Sequence, residues 1–162
     1  FGPSHLHKTA GAVVIGARLP LIAFNVNLHS TNLKIARAIA RTVRQSNGGV
    51  LHLKAIGVEL ASRGLVQVAM NLTDYEKSSL NSAFDAVRSQ AAFHGVKIAG
   101  GEIVGLIPQA ALVKAAAEAL QLDHFNPAQA LETKIVLALS VTKDKRLNQS
   151  QKGSEVRKEP TL

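Results

Sequence analysis

The alternation of apolar and polar residues in two separate stretches constrains this chain more than any other feature. In Leu21–Leu28, Ile22, Phe24, Val26 and Leu28 share one side, and Ala23, Asn25 and Asn27 share the other. Leu65–Leu72 repeats the pattern, with Val66, Val68, Met70 and Leu72 set against Gln67, Ala69 and Asn71. A period of two is the strand period. Between these stretches the period becomes helical. Ser30 or Thr31 can cap a helix running to about Ser46, with Ile35, Ala36, Ile39, Ala40 and Val43 on one stripe and Lys34, Arg37, Arg41 and Arg44 facing water. Asn47-Gly48-Gly49 stops it, a strand follows over roughly Val50–Leu60, and Ser62-Arg63-Gly64 turns the chain back.

After the Leu65–Leu72 strand, Thr73-Asp74-Tyr75-Glu76 has the form of a capping box and predicts a second helix beginning there. Leu80, Ala83, Phe84, Val87 and Ala91 form its apolar stripe, and His94-Gly95 ends it. Val96–Ala99 reads as a fourth strand, interrupted at Gly100-Gly101 before Glu102-Ile103-Val104. Past Pro108 a helix-forming stretch begins at Gln109, and Pro127 to about Leu139 predicts one more helix. The order strand, helix, strand, strand, helix, strand predicts an α+β, ferredoxin-like split βαβ sandwich: a four-stranded antiparallel sheet with helices on one face and extra C-terminal helices. The predicted organisation is a linker and ligand loop over residues 1–20, the ferredoxin-like unit over 21–140, and a disordered basic tail over 141–162.

In that topology the first and third strands are central neighbours. Their apolar sides must lie under the helices, which brings Asn25, Asn27, Gln67 and Asn71 together on the other side. Carboxamides are poor strand formers and need every donor and acceptor met when buried. A sheet face lined with them predicts a binding or docking surface. Phe24 points toward the helices, and aromatic residues make up 4% of the chain. RNA-recognition domains of this topology stack bases on central-strand aromatics, so nucleic acid is not the expected partner.

Other function classes fall away on composition. With no cysteine there is no disulfide scaffold, thiolate metal site or cysteine nucleophile. A hydrophobic content of 46% supports a real core and excludes wholesale disorder. No apolar run reaches the roughly 18 residues needed to cross a bilayer, and no signal peptide opens the chain, so no membrane association and a cytoplasmic location are expected. The net charge is +8, of which Val141–Leu162, with six basic and three acidic residues, holds +3. The remaining basic body suits an anionic ligand. Protease, hydrolase and phosphate-loop motifs do not occur. His5 and His7 lack a third ligand, so no metal is expected. Glu102 beside its glycines reads as structural rather than as a general base. Phe1 opens the chain and Met70 is its one methionine, which reads as a fragment.

Five strings, taken in order, resemble the C-terminal half of glutamate formimidoyltransferases. They are FGP at 1–3, TAGAVVIGAR at 9–18, LIAFNVNL at 21–28, GLVQVAMNLTDYE at 64–76 and GGEIVGLIP at 100–108. The resemblance implies a subdomain that helps transfer a formimidoyl group from N-formimidoyl-L-glutamate to tetrahydrofolate, the co-substrate, in histidine degradation. It implies two ferredoxin-like subdomains with folate in the cleft between them, and a catalytic histidine in the N-terminal one. No histidine of this chain takes that role, so no catalytic residue is assigned here and the fragment alone is expected to be inactive. The family's folate-contacting segment maps onto Gly2, Pro3, Ser4, His5, Leu6, His7, Lys8, Thr9, Ala10 and Gly11, and a further contact onto Gly48. The amide face of Asn25, Asn27, Gln67 and Asn71 is the expected cleft wall. This chain departs from many relatives at His7-Lys8, Ala69-Met70 and Gly100-Gly101, where relatives more often carry a proline or hydroxyl side chains.

The expected partners are the two small-molecule substrates and the absent N-terminal subdomain. An exposed sheet face also favours self-association, a homodimer being its simplest form. The alternative is a stand-alone ligand-binding or regulatory module of the same fold, without catalysis.

Overall fold

The computed structural model describes residues 4–140. Gly2 and Pro3 of the expected ligand loop, and the whole of the 141–162 tail, lie outside the described residues. The chain divides into two compact units, Phe1–Pro108 and Gln109–Leu162.

The first unit contains β1 (Ile22–Leu28), α1 (Leu33–Val43), β2 (Leu53–Leu60), β3 (Leu65–Leu72), α2 (Leu80–Phe93) and β4 (Ile98–Val104). The sheet order is β2-β3-β1-β4, with β1 and β3 central and every neighbouring pair antiparallel. This is the split βαβ arrangement expected from the order of periodicities. Ile22, Val26 and Leu28 of β1 are buried with Val66, Val68, Met70 and Leu72 of β3. Against them lie Ala36, Ile39, Ala40 and Val43 of α1 and Leu80, Ala83, Val87 and Ala91 of α2. Phe24 turns the same way, its ring centroid 6.5 Å from that of Phe84 on α2.

One close approach holds α1 to the edge strand. A Cβ on Gly57 of β2 would stand 2.4 Å from the Arg37 nitrogen and 2.6 Å from the Ala36 carbonyl carbon. These are main-chain atoms that cannot swing aside, so the helix can rest on β2 there only because Gly57 has no side chain.

Three local features differ from the sequence reading, the first two because a side chain found another partner. Asn32, not Ser30 or Thr31, caps α1, its Oδ1 accepting from Lys34 N at 3.0 Å. Ser30 Oγ instead accepts from Asn32 N. The second helix begins at Leu80, capped by Ser79, rather than at Thr73. Thr73 is drawn away because its hydroxyl donates to the His52 carbonyl at 3.1 Å. Asp74 then makes a turn of its own, Oδ1 accepting from Glu76 N and Lys77 N, and the Ser78 hydroxyl donates to Leu51 O. Finally, β4 runs unbroken through Gly100 and Gly101, and the irregularity lies in its pairing with β1, between Asn27 and Leu28.

The second unit contains α3 (Gln109–Ala119), a short 3-10 helix at Pro127–Gln129 with an Asn126/Gln129 capping box, and helical residues 131–140. No helix among the described residues is long and apolar enough to cross a membrane.

Candidate functional site: a carboxylate held by strand amides

The strand registers decide what the sheet face turned away from α1 and α2 carries. Asn27 of β1 lies opposite Gln67 of β3, and Asn25 lies opposite Ala69 on β3 and Glu102 on β4. Because side chains alternate along a strand, Asn25, Asn27, Gln67 and Glu102 all emerge on this one face. Gln67 Nε2 donates to Asn27 Oδ1 at 2.8 Å and also to Glu102 Oε1. Asn25 Nδ2 reaches the same Glu102 oxygen at 3.5 Å, while Asn25 Oδ1 accepts from Met70 N at 3.3 Å.

Asn27 and Gln67 are 4% and 5% exposed. They therefore form an inner layer, joined by that bond and tied through Gln67 to Glu102, as buried amides need partners. No buried side-chain nitrogen or oxygen among the described residues lacks a partner. Glu102 and Asn25 form the outer layer. Glu102 Oε2 lies 3.8 Å from Arg63 Nη1, the two side chains being 40% and 52% exposed. An ion pair so wet contributes little stability. Its effect is to hold a guanidinium and a carboxylate side by side at the rim of the amide layer, offering donors and acceptors together.

Asn71 shares the face, opposite Ala23 on β1 and Lys54 on β2, but sits four residues beyond Gln67 on β3. At about 3.3 Å per residue that is roughly 13 Å away. The structure thus gathers Asn25, Asn27 and Gln67 and places Asn71 at the other end of the amide row, beside Lys54 and diagonal to Asn25.

The loop expected to contact ligand is ordered by its own histidine. His7 Nδ1 accepts from Thr9 N at 3.3 Å and from Ala10 N at 3.1 Å, and Thr9 Oγ1 lies 3.2 Å away. The two backbone N–H groups make this ring nitrogen the acceptor that organises the turn. Gly11 N donates to His7 O at 3.0 Å, closing the turn, and Gly11 takes φ +67°, where a side chain would be strained. Ser4, His5, Leu6 and His7 join Gly11, Ala12 and Val13 around a concavity of about 480 Å³. Lys8 lies in the same turn and is exposed. Among the described residues no hydrogen bond joins this loop to the sheet.

Gly48 ends a 3-10 turn (Gln45–Asn47) after α1 in the left-handed conformation, φ +81°, with open space where a Cβ would stand. The expected site residues therefore fall in three places: the strand amides, the 4–11 turn and Gly48.

Two members of the strand network, Glu102 and Arg63, were not among the residues expected to bind ligand. Arg63 was hidden because it sits in the short 3-10 turn (Ala61–Arg63) between β2 and β3, where the sequence signals only a tight return. Glu102 was hidden by its two glycines. Once β4 is seen to run through them, simple alternation from Gly100 puts Glu102 on the amide face. No group of three or more metal-ligating side chains occurs among the described residues.

Comparison with known proteins agrees with this architecture. A family model described as the formiminotransferase domain matches residues 23–149. The chain is 44% identical over 126 residues to glutamate formimidoyltransferase of Streptococcus pyogenes serotype M1, covering 78% of this chain and 42% of that protein. It is 43% identical over 141 residues to the glutamate formimidoyltransferase of Thermoplasma acidophilum, covering 87% of this chain and 46% of the relative. Formimidoyltransferase-cyclodeaminase of Mus musculus is 39% identical over 123 residues, with 72% of this chain and 23% of that protein aligned. The chain thus spans less than half the length of these relatives. With the family model matching most of its residues and the fold in agreement, this chain belongs to the formiminotransferase-domain family.

Proposed function

We propose that this chain is the folate-contacting half of a glutamate formimidoyltransferase. The reaction moves a formimidoyl group from the nitrogen of N-formimidoyl-L-glutamate to N5 of tetrahydrofolate. The C–N bond to glutamate breaks, a C–N bond to N5 forms, and the N5 proton ends on the glutamate nitrogen. The proton-transfer group belongs to the other half of the enzyme. This half supplies a wall.

One observation carries the reading: the Asn25–Gln67–Glu102 network on the sheet face away from the helices, in a chain of this family. A reduced pterin presents a row of N–H donors beside a carbonyl acceptor. Glu102 Oε2 and the Arg63 guanidinium, side by side, offer the complementary acceptor and donor. Asn27 and Gln67 act from beneath, fixing the carboxylate so that little rotamer freedom is lost on binding. The concavity at the 4–11 turn and the open space beside Gly48 take the rest of the ligand. The pathway served is histidine degradation, in the cytoplasm.

The test is a transfer assay that follows release of glutamate. The chain alone should show no turnover, and adding the N-terminal half of the Streptococcus pyogenes relative in trans should restore it. Turnover by the chain alone at the rate of a full-length relative would overturn this division of labour.

A further inference from the structure

The outer edge of β2 carries a second charged surface, with the arginines on the α1 side of the sheet and Lys54 and Ile56 on the amide face. Arg37 and Arg41 stand four apart on α1 and so lie on one side of the helix, and Arg44 follows as its extended C-cap residue, its Nε donating to Asn47 Oδ1 at 3.0 Å. All three line a groove of about 230 Å³ together with Ala55, Ile56 and Gly57 of β2. The groove continues through Arg44, Ala55 and Ile56 into a larger cleft of about 600 Å³, which adds His52 and Lys54.

Ala55, Ile56 and Gly57 are consecutive on a strand, so their side chains leave alternate faces. They can border one groove only if it runs along the strand's outer backbone edge. β2 is an edge strand pairing with β3 alone, and alternate residues of such a strand turn unpaired N–H and C=O groups outward. Ile56 beside them is 63% exposed.

The helix and the strand match in length. Gly57 lies against Arg37, and Lys54 borders the same cleft as Arg44. From Arg37 to the end of α1 at Val43, next to Arg44, is about 9 Å along the helix, and from Gly57 to Lys54 is about 10 Å along the strand. The arginines are therefore a rail beside the free edge. Among the described residues none of Arg37, Arg41, Arg44 and Lys54 is in an ion pair. The acidic residue nearest along β2 is Glu59, two positions past Gly57 and exposed.

We propose that this edge takes an extended acidic segment of a partner protein as a fifth strand, its main chain pairing with β2 and its alternate carboxylates meeting the arginine rail. Alternate side chains of a strand stand about 6.7 Å apart, and successive arginines on the helix stand about 4.5–6 Å apart along its axis. Long, flexible guanidinium arms absorb the difference. The same charges exclude the obvious self-occupants. A second copy carries net charge +8 and the same rail, and the 141–162 stretch carries an excess of lysine and arginine. The rail thus closes the edge to self-pairing and opens it to an acidic strand.

The test uses the isotope-labelled 162-residue chain and a probe peptide of about six residues alternating glutamate and threonine. The expected result is amide-shift perturbation centred on Lys54–Gly57, weakening as salt rises. Arg37→Glu and Arg41→Glu, both at exposed positions, should each weaken binding by about tenfold, an interfacial charge reversal of ordinary size. A probe N-methylated at alternate residues keeps its charge but loses half its main-chain donors, and should not bind. Because this probe leaves the protein untouched, it also covers a variant that misfolds. Failure of the acidic peptide to bind, or equal binding by its glutamine counterpart or its N-methylated form, would overturn the proposal. So would tighter binding of an oligothymidylate at the same arginines, which would make the groove a nucleic-acid site.

Discussion

Gln67 is the residue on which the polar face turns. Its single amide nitrogen donates both to the buried Asn27 oxygen and to the half-exposed Glu102 carboxylate. Gln67→Leu keeps the volume roughly constant but leaves the Asn27 oxygen buried without a donor, at a cost of about 1–3 kcal/mol. Asn27→Leu added to it removes the orphan and should recover part of that loss. Urea unfolding of the single and double variants measures this, and additive losses would show that the pair is not coupled. Asp74 gives the pH counterpart. Its burial raises the carboxyl pKa, but hydrogen bonds from Lys77 N, the Lys77 ammonium and Glu76 N together outweigh that and hold it below the ordinary carboxylate value. A carboxyl lowered on folding adds stability above its unfolded pKa, and that stability is lost as pH falls through the folded value. Asp74→Asn should therefore flatten the acid limb of the stability profile, as read by thermal unfolding across that range. An unchanged acid limb would count against the loop's part in stability.

Among the elements, α1 and β2 are joined most closely at Gly57. An alanine there would press its Cβ onto the α1 main chain, so Gly57→Ala should cost about 1–3 kcal/mol or more, measurable as a lowered urea midpoint. No loss would mean that the helix sits farther from the strand than the structure shows. The strands were legible because two of them must be apolar on one side only. Alternation therefore fixed β3 at Leu65–Leu72 and β1 to within a residue. Helix starts were less legible, because a Thr, Ser or Asn can cap a helix or bond elsewhere, and local sequence does not say which. Thr73 bonds across to His52, a partner twenty-one residues away, so the apparent capping box at Thr73–Glu76 did not start α2. The amide pair Asn27–Gln67 was readable from alternation plus topology. Glu102 was not, since its place depends on whether a strand survives two glycines, which the neighbouring strand decides. Arg63 joins only through the closure of the β2–β3 turn.

At the scale of the whole molecule, function rests on a division of faces. One side of the sheet is covered by α1 and α2 and holds the core. The other gathers a carboxylate, a guanidinium and a buried layer of amides in a chain of the formiminotransferase-domain family. The most direct measurement is an amide-shift NMR titration of the isotope-labelled chain with folinic acid, a stable reduced folate, in the wild type and in Glu102→Ala. A folate wall predicts saturable shifts at Asn25, Gln67 and Glu102, in the 4–11 turn and at Gly48, with the strand shifts weakened in Glu102→Ala. A well-folded spectrum whose strand amides stay still at saturation, while other surfaces shift, would contradict it.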